Sequence, residues 1–323
     1  MKDTKRKLFW NKDELQIFMG KYGIGVILFF ILLILMITEP TFRQPGNFVN
    51  IAKQVAINGM IAYGMSLVIA TGGIDLSVGA QCALVACLLG QFIMKQDMNV
   101  LLACIIAVLF STAFGLLNGV LIAGFNMIPF VVTLASQLII RGISQVISSA
   151  QAISMTNLQF KNIYLGELWG IPIPVIMLIV VTIVMYLLLH WTKLGRYILA
   201  TGGNEKSAIA SGVSVFRTKL SVYAISGCLA GIAGVILTSK TSSAQSNLGI
   251  GYETDAIAAV VIGGTSFLGG VATVPGVLIG IFIIGCIYNG MNLIGVSSYY
   301  QIIVKGVMII AAIMFDQILN KRK

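Results

Sequence analysis

The sequence predicts an all-α, polytopic membrane protein with about ten transmembrane crossings. Three observations carry this. Of the 323 residues, 58% are hydrophobic and only 10% are charged, far from the balance of a soluble domain. The apolar residues come in unbroken runs of membrane-spanning length rather than at amphipathic spacing. Those runs are also too continuous for the in-out alternation of a transmembrane barrel, so each must close its own backbone hydrogen bonds as a helix where no water is present.

In chain order, residues 1–21 place Lys5, Arg6 and Lys7 ahead of Leu8, Phe9, Trp10, Leu15 and Phe18, interleaved with Lys12, Asp13 and Glu14. This reads as an amphipathic segment on the cytosolic surface. No small-residue cleavage site follows, so an uncleaved first span is expected at 22–38. Further apolar runs lie at 55–71, 76–94, 100–123, 128–150, 174–189, 221–238, 274–291 and 302–319. Starting inside, six crossings return the chain to the cytosol at His190. There a polar stretch, 190–219, carries five Lys or Arg against one Glu, as the inside location of basic loops requires. Lys321, Arg322 and Lys323 also ask to be inside, which needs an even count, and nine runs are odd. The tenth crossing is expected at 254–268, TDAIAAVVIGGTSFL, interrupted by Gly263 and Gly264 and therefore short, broken or re-entrant. Such backbone is tolerated at membrane depth only inside protein or beside a water-filled cavity, which makes the segment a candidate pathway lining. The chain reads as one transmembrane domain, 22–319, with a cytosolic loop at 190–220 and a basic cytosolic tail at 320–323.

The formal charge of +10 sits at the tails and in the central loop, where topology alone puts it, and does not point to nucleic acid. The five cysteines fall in or beside apolar runs without CxxC spacing and read as small buried hydrophobes. No bound metal or cofactor is expected. Many of the 35 glycines lie inside spans, where small residues let helix backbones approach. No GxxxxGK[ST], HExxH or GxSxG appears, nor a run of intramembrane carboxylates and histidines for a proton relay.

Three stretches can carry function. In TGGIDLSVG, 71–79, Gly72 and Gly73 end one helix and Asp75 opens the next, where a carboxylate can cap free N–H groups or serve in a pathway or gate. In TGGNEKSAIASG, 201–212, Asn204 can cap a short helix through Glu205, Ala208 and Ser211 that Gly212 ends in a left-handed turn. This is a docking surface or an ordinary solvated loop. In the tract 242–270, Glu253 and Asp255 have no accompanying nucleophile or metal ligand and read as caps of the following helix. Neutral amides and rings inside spans, among them Asn58, Asn118, Asn289, Asn292 and Tyr288, suit either a passing sugar or helix-to-helix bonding. Arg141 and Lys305, near the outer ends of their spans, are expected to snorkel. ATGG occurs at both Ala70 and Ala200, an echo too short to claim a duplication.

Taken together, GGIDLSVG from Gly72, GIPIPV from Gly170, LGRYILATGGNEKSAIASGV from Leu194, SSAQ from Ser242, GYETDAIAAVVIGGTSFLGG from Gly251 and GMNLIGVSSYYQIIVKG from Gly290 resemble the sugar-importing permease subunits of ATP-binding cassette (ABC) transporters, of the ribose, xylose, arabinose and galactose type. The resemblance covers nearly all of the chain after residue 40. It implies a monosaccharide translocated by alternating access across the bacterial inner membrane. It also implies a second permease copy or a paralogue, an extracytoplasmic sugar-binding protein above, and an ABC ATPase subunit below that holds the ATP and Mg. The family's degenerate coupling motif falls on Asn204, Glu205, Ala208, Ser211 and Gly212, with EKSA where a plainer EAA-like run is usual. The expected pathway or gating residues are Gly72, Gly73, Asp75, Asn118, Gly263, Gly264, Asn289 and Asn292. An ion-coupled sugar transporter or channel is the alternative reading; a membrane enzyme lacks a visible catalytic pair.

Overall fold

The computed structural model describes residues 12–320, with side chains from Gly25 to Met314. The basic cluster Lys5–Lys7 and the tail Lys321–Lys323 lie outside the described residues. Thirteen α-helices follow one another: α1 Lys12–Thr38, α2 Pro45–Ala70, α3 Val78–Leu89, α4 Val100–Gly124, α5 Pro129–Ser148, α6 Leu158–Leu165, α7 Ile173–Trp191, α8 Lys193–Gly203, α9 Glu205–Ala210, α10 Val215–Thr241, α11 Tyr252–Ile262, α12 Val274–Leu293 and α13 Ser298–Asn320. Four two-residue strands form two small antiparallel pairs. β1 (Ile153–Ser154) pairs with β4 (Ser243–Ala244), and β2 (Glu167–Leu168) with β3 (Ile171–Pro172). The fold is all-α.

Among the described residues, six helices are long and apolar enough to cross a membrane: α3 with its π-helical extension Gly90–Lys95, then α4, α5, α7, α10 and α12. Gly25–Thr38 and Ser298–Met314 are shorter apolar stretches. The span expected from residue 55 is a 26-residue helix that begins ten residues earlier. Pro45 supplies the fixed φ of a first helical turn, and the polar Asn47, Asn50, Lys53 and Gln54 that interrupt the hydropathy belong to the same helix. The expected tenth crossing is broken: α11 has 11 residues, about 16 Å of helix against a hydrocarbon core of about 30 Å. It ends at Gly263, and Gly264 turns with φ +84°.

α2 and α3 form the centre of the bundle. From Val55 to Ala70, and again from Val78 to Leu89, every side chain is buried. α2 packs on α7, α10, α11 and α12, while α3 packs on α4, α5 and α10. The outer helices α4, α5 and α7 turn large apolar residues outward, Leu109, Leu138 and Val184 among them, which suits a lipid surround. α4 and α10 pack closely through glycines. A Cβ on Gly115 would meet the Tyr223 carbonyl oxygen at 2.3 Å, and one on Gly227 would meet that of Ser111 at 2.7 Å. In lipid, packing of this kind rather than water exclusion holds helices together.

The connections gather at two ends. Gly270 N–H donates to the Ala70 carbonyl at 2.9 Å, bringing the α2–α3 and α11–α12 connections together. At the other end β1 meets β4, and Met155 N–H donates to the Ser242 carbonyl at 3.0 Å.

Replacing Gly115 by Val forces α4 off α10 and is expected to destabilise the protein by about 1–3 kcal/mol, read as a lower melting temperature in detergent. Gly142→Ala on α5, exposed and with no atom within 4 Å of its built Cβ, is expected to leave that temperature unchanged or raise it.

Candidate functional site

Two centres stand out, one at the end of the bundle where α8 and α9 lie and one within it. At the first, Thr192 caps α8 by accepting from Gly195 N–H at 3.1 Å. Asn204 Oδ1 caps α9 by accepting from Ser207 N–H at 2.9 Å. The helix ends as the sequence suggests. Gly212 has φ +81°, its N–H donates to the Ile209 carbonyl at 2.9 Å, and Val213 N–H donates to the Ala208 carbonyl at 3.0 Å. These paired bonds satisfy the last carbonyls of α9. Lys219 Nζ meets Glu205 Oε2 at 2.7 Å, pinning α9 to the start of α10. Ala208 is buried, whereas Glu205, Lys206, Ile209 and Ser211 are exposed. The short helix therefore presents a mixed polar and apolar face outward.

Behind it, three glycine pairs converge that are far apart in sequence. A Cβ on Gly202 would sit 1.8 Å from the Ala70 carbonyl oxygen and 2.5 Å from Gly270 N. Gly269 and Gly270 have φ +88° and +78°, and built Cβ atoms would fall 2.8 Å from Gly202 O and 2.9 Å from Gly203 Cα. Gly72, φ +77°, turns at the same place, its N only 3.1 Å from the Cβ built on Gly269. The two ATGG stretches are thus neighbours in space, with the third glycine pair against them. Gly73 lies beside Tyr223, and Gly263 packs on the Gly276 backbone of α12. Four of the expected gating residues, Gly72, Gly73, Gly263 and Gly264, thus lie in the two connections that meet α8.

The second centre is a buried polar network on the α2–α3 break. Asp75, fully buried, accepts at Oδ1 from Ser77 N–H (3.0 Å) and Ser77 Oγ–H (2.6 Å), and at Oδ2 from Ser226 Oγ–H on α10 (2.9 Å). Gln81 Nε2 (2.8 Å) and Asn118 Nδ2 (3.1 Å) both donate to Ser77 Oγ. Ser111 Oγ–H is shared between Gln81 Oε1 at 2.8 Å and the Gly227 carbonyl at 2.6 Å, and Ser136 Oγ–H donates to Asn118 Oδ1. One carboxylate therefore ties together α3, α4, α5 and α10. Asp75 receives the N–H of Ser77 ahead of α3, in keeping with the capping reading, and also bonds across the bundle to α10.

At the far end of α11, Asp255 Oδ1 accepts from Tyr288 OH on α12 at 2.8 Å and from Lys305 Nζ on α13 at 2.7 Å. Lys305 also donates to the Gly251 carbonyl at 3.2 Å. These contacts differ from the expected cap and the expected snorkelling lysine: the two charges meet across helices because burial leaves neither enough water to stand alone. Arg141 likewise turns inward and donates to the carbonyls of Ser246 at 2.6 Å and Leu248 at 2.8 Å. Glu253 Oε1 accepts from Gly251 N–H at 3.3 Å, a local bond at the start of α11. Beside the Asp255–Lys305 pair lies a cleft of about 240 Å³ lined by α2, α11, α12 and α13 residues, including Asn58, Tyr288 and Asn292. Asn289 is elsewhere, exchanging two amide bonds with Asn47 at the start of α2, at 2.9 and 2.8 Å. Asn118 belongs to the Asp75 network rather than to the cleft. The sequence carries no local signal for Ser226, whose partner Asp75 lies 151 positions away, nor for the meeting of Gln81 with Ser111 or of Lys305 with Asp255, each of which depends on how separate helices pack.

Residues 47–313 match the family model described as branched-chain amino acid transport system / permease component. The ribose import permease protein of Bacillus subtilis is 44% identical over 301 residues, covering 93% of both chains. The ribose import permease protein of Escherichia coli is 40% identical over 302 residues, covering 92% of this chain and 93% of its own. The D-allose transport system permease protein of Escherichia coli is 39% identical over 306 residues, covering 94% of both. No solved structure matches.

Removing the carboxylate strands the hydroxyls that point at it. Asp75→Ala is expected to destabilise the protein by about 1–3 kcal/mol for each buried group left unpaired, lowering the melting temperature in detergent. Asp75→Asn keeps an acceptor for Ser77 and a donor toward Ser226, and is expected to remain within about 1 kcal/mol of wild type.

Proposed function

Because the chain belongs to the family described as branched-chain amino acid transport system / permease component, and its relatives over nine-tenths of its length are sugar permeases, we propose that it is the membrane-spanning subunit of an ABC importer for a monosaccharide. The carrying observation is the glycine junction. The exposed helix α9 follows α8 directly, and α8 rests without intervening side chains on the two breaks at Gly72 and Gly269–Gly270.

The proposed mechanism follows from that contact. An ATPase subunit holding ATP and Mg docks on the face formed by Asn204, Glu205, Ser211 and Gly212, with Ala208 buried beneath them, and its closure displaces α8 and α9. Backbone packed against backbone has no side chain to yield, so the displacement passes to the α2–α3 and α11–α12 connections. α11 is the short rod between that junction and the Asp255–Lys305 contact, and its shift opens the pathway to one side of the membrane or the other. A sugar-binding protein delivers the substrate at the outer end, and a second permease copy or a paralogue completes the path.

The contacts support ten crossings with both termini cytosolic. Ala70, Gly202 and Gly270 meet after two, six and eight crossings, all on the inner side, while β1 and β4 meet after five and seven, on the outer side. The protein then resides in the bacterial inner membrane.

In proteoliposomes carrying permease, ATPase and binding protein, Gly202→Ala is expected to lower ATP-driven sugar uptake at least about tenfold, with the amount of inserted permease unchanged. Undiminished uptake overturns the coupling role of the junction. Concentrative uptake by the permease alone, driven by an ion gradient, overturns the ABC reading.

A further inference from the structure

We propose that the cleft between α2, α11, α12 and α13 is a binding subsite for one neutral polyhydroxylated molecule of monosaccharide size on its way through the bundle; this rests on the transport reading above. Polar groups project among the apolar surface of its walls, where a lipid-facing or packing cleft would carry few: Gln54 and Asn58 from α2, Asp255 from α11, Tyr288 from α12, Gln301 and Lys305 from α13. Its volume of about 240 Å³ falls just below the roughly 300–1,000 Å³ typical of pockets for drug-sized ligands.

Asn58 supplies the observation that points to a ligand. It is 7% exposed, it lines the cleft, and its Oδ1 is buried with no hydrogen-bond partner. A buried acceptor left empty is costly, so a donor belongs there. Asp255 adds a second vacancy. Tyr288 and Lys305 both bond Oδ1, and Oδ2 makes no hydrogen bond among the described residues. Gln301 uses its amide N–H groups on Asn292 Oδ1 (2.8 Å) and the Val296 carbonyl (3.0 Å), which turns its acceptor oxygen toward other donors.

The chemistry of these groups selects the ligand class. A cation meets the Lys305 ammonium, and an anion meets Asp255. An apolar molecule leaves Asn58 Oδ1 and Asp255 Oδ2 unsatisfied. Several hydroxyls on a compact neutral ring donate to both oxygens and accept from Lys305, whose ammonium has three N–H groups and uses two on Asp255 and Gly251. The Tyr252 and Tyr288 rings, also in the lining, offer flat apolar faces to the C–H surface of such a ring.

The position fits passage rather than a terminal store. Asn58 lies about 18 Å up α2 from Ala70, so the cleft and the glycine junction stand at opposite ends of α11. Movement at the junction reaches the cleft through Asp255, and a bound sugar bears on the same residue.

The test uses the complete importer in proteoliposomes with D-ribose, D-allose, L-arabinose and D-galactose as probes. Ile302→Cys places a thiol at the exposed mouth of the cleft, and its maleimide labelling is followed above the wild-type background. A sugar that the wild-type importer takes up is expected to slow labelling at least about fivefold, while equimolar sodium acetate does not. Adding Asn58→Leu or, as the milder change, Asn58→Ala is expected to remove that protection. Unslowed labelling by a sugar that the importer does carry overturns the subsite and leaves the transport reading intact, as does protection undiminished in both Asn58 variants. Absence of ATP-driven uptake of all four sugars overturns the transport reading, and the subsite with it.

Discussion

A single hydrogen bond, from Gly270 N–H to the Ala70 carbonyl at 2.9 Å, marks the constraint on which the architecture depends. One group ends α2 and the other lies in the α11–α12 connection, and both would be costly to leave unpaired near a membrane. Their meeting requires Gly202 to lie flat against them, because the space that its Cβ would need is filled by the backbone of Ala70 and Gly270. Close backbone contact of this kind is stiff, since interiors pack as tightly as organic crystals and have little slack to absorb displacement. Helices α8 and α9 are thereby connected to the core of the bundle by main chain rather than by flexible side chains.

Everything above that junction is arranged around charge that has to be neutralised without water. Asp75 is held by hydroxyls from two elements, and Asp255 by a lysine and a tyrosine from two more. Neutral donors suffice around Asp75, where the site is closed and both carboxyl oxygens are hydrogen-bonded. Beside the cleft, Asp255 has a full countercharge and a vacant oxygen. The first arrangement suits a fixed joint between helices. The second is half satisfied and changes partners at low cost, which is the property a transit site needs.

α11 connects these two regimes. Its 11 residues are too few to cross the core alone, so its ends fall inside the protein, one at the cleft and one at the glycine turns. A full-length span would have placed both ends in the headgroup regions and isolated the cleft from α8 and α9. The broken crossing is therefore what brings the cleft within one rigid helix of the glycine junction.

The sequence by itself determined the fold class, the runs that became helices, the cap and the left-handed end of α9, and the interruption at Gly263 and Gly264, since each depends on local composition, on one glycine or on one capping side chain. Charge bias and the requirement for an even crossing count gave only the expectation of an inside location for the basic loop and tail. The tertiary structure alone decided that the two ATGG stretches touch, that Asn289 pairs with Asn47 while Asn292 borders the cleft, and that Lys305 and Arg141 turn inward. It also brought Ser226 to Asp75 and Asn58 to the cleft, from residues 151 and 197 positions away in the chain respectively. These outcomes are matters of which helix faces meet. In a bundle whose helices are apolar on nearly every side, the hydrophobic periodicity that would announce a contact face is absent, because lipid and protein neighbours ask for the same side chains.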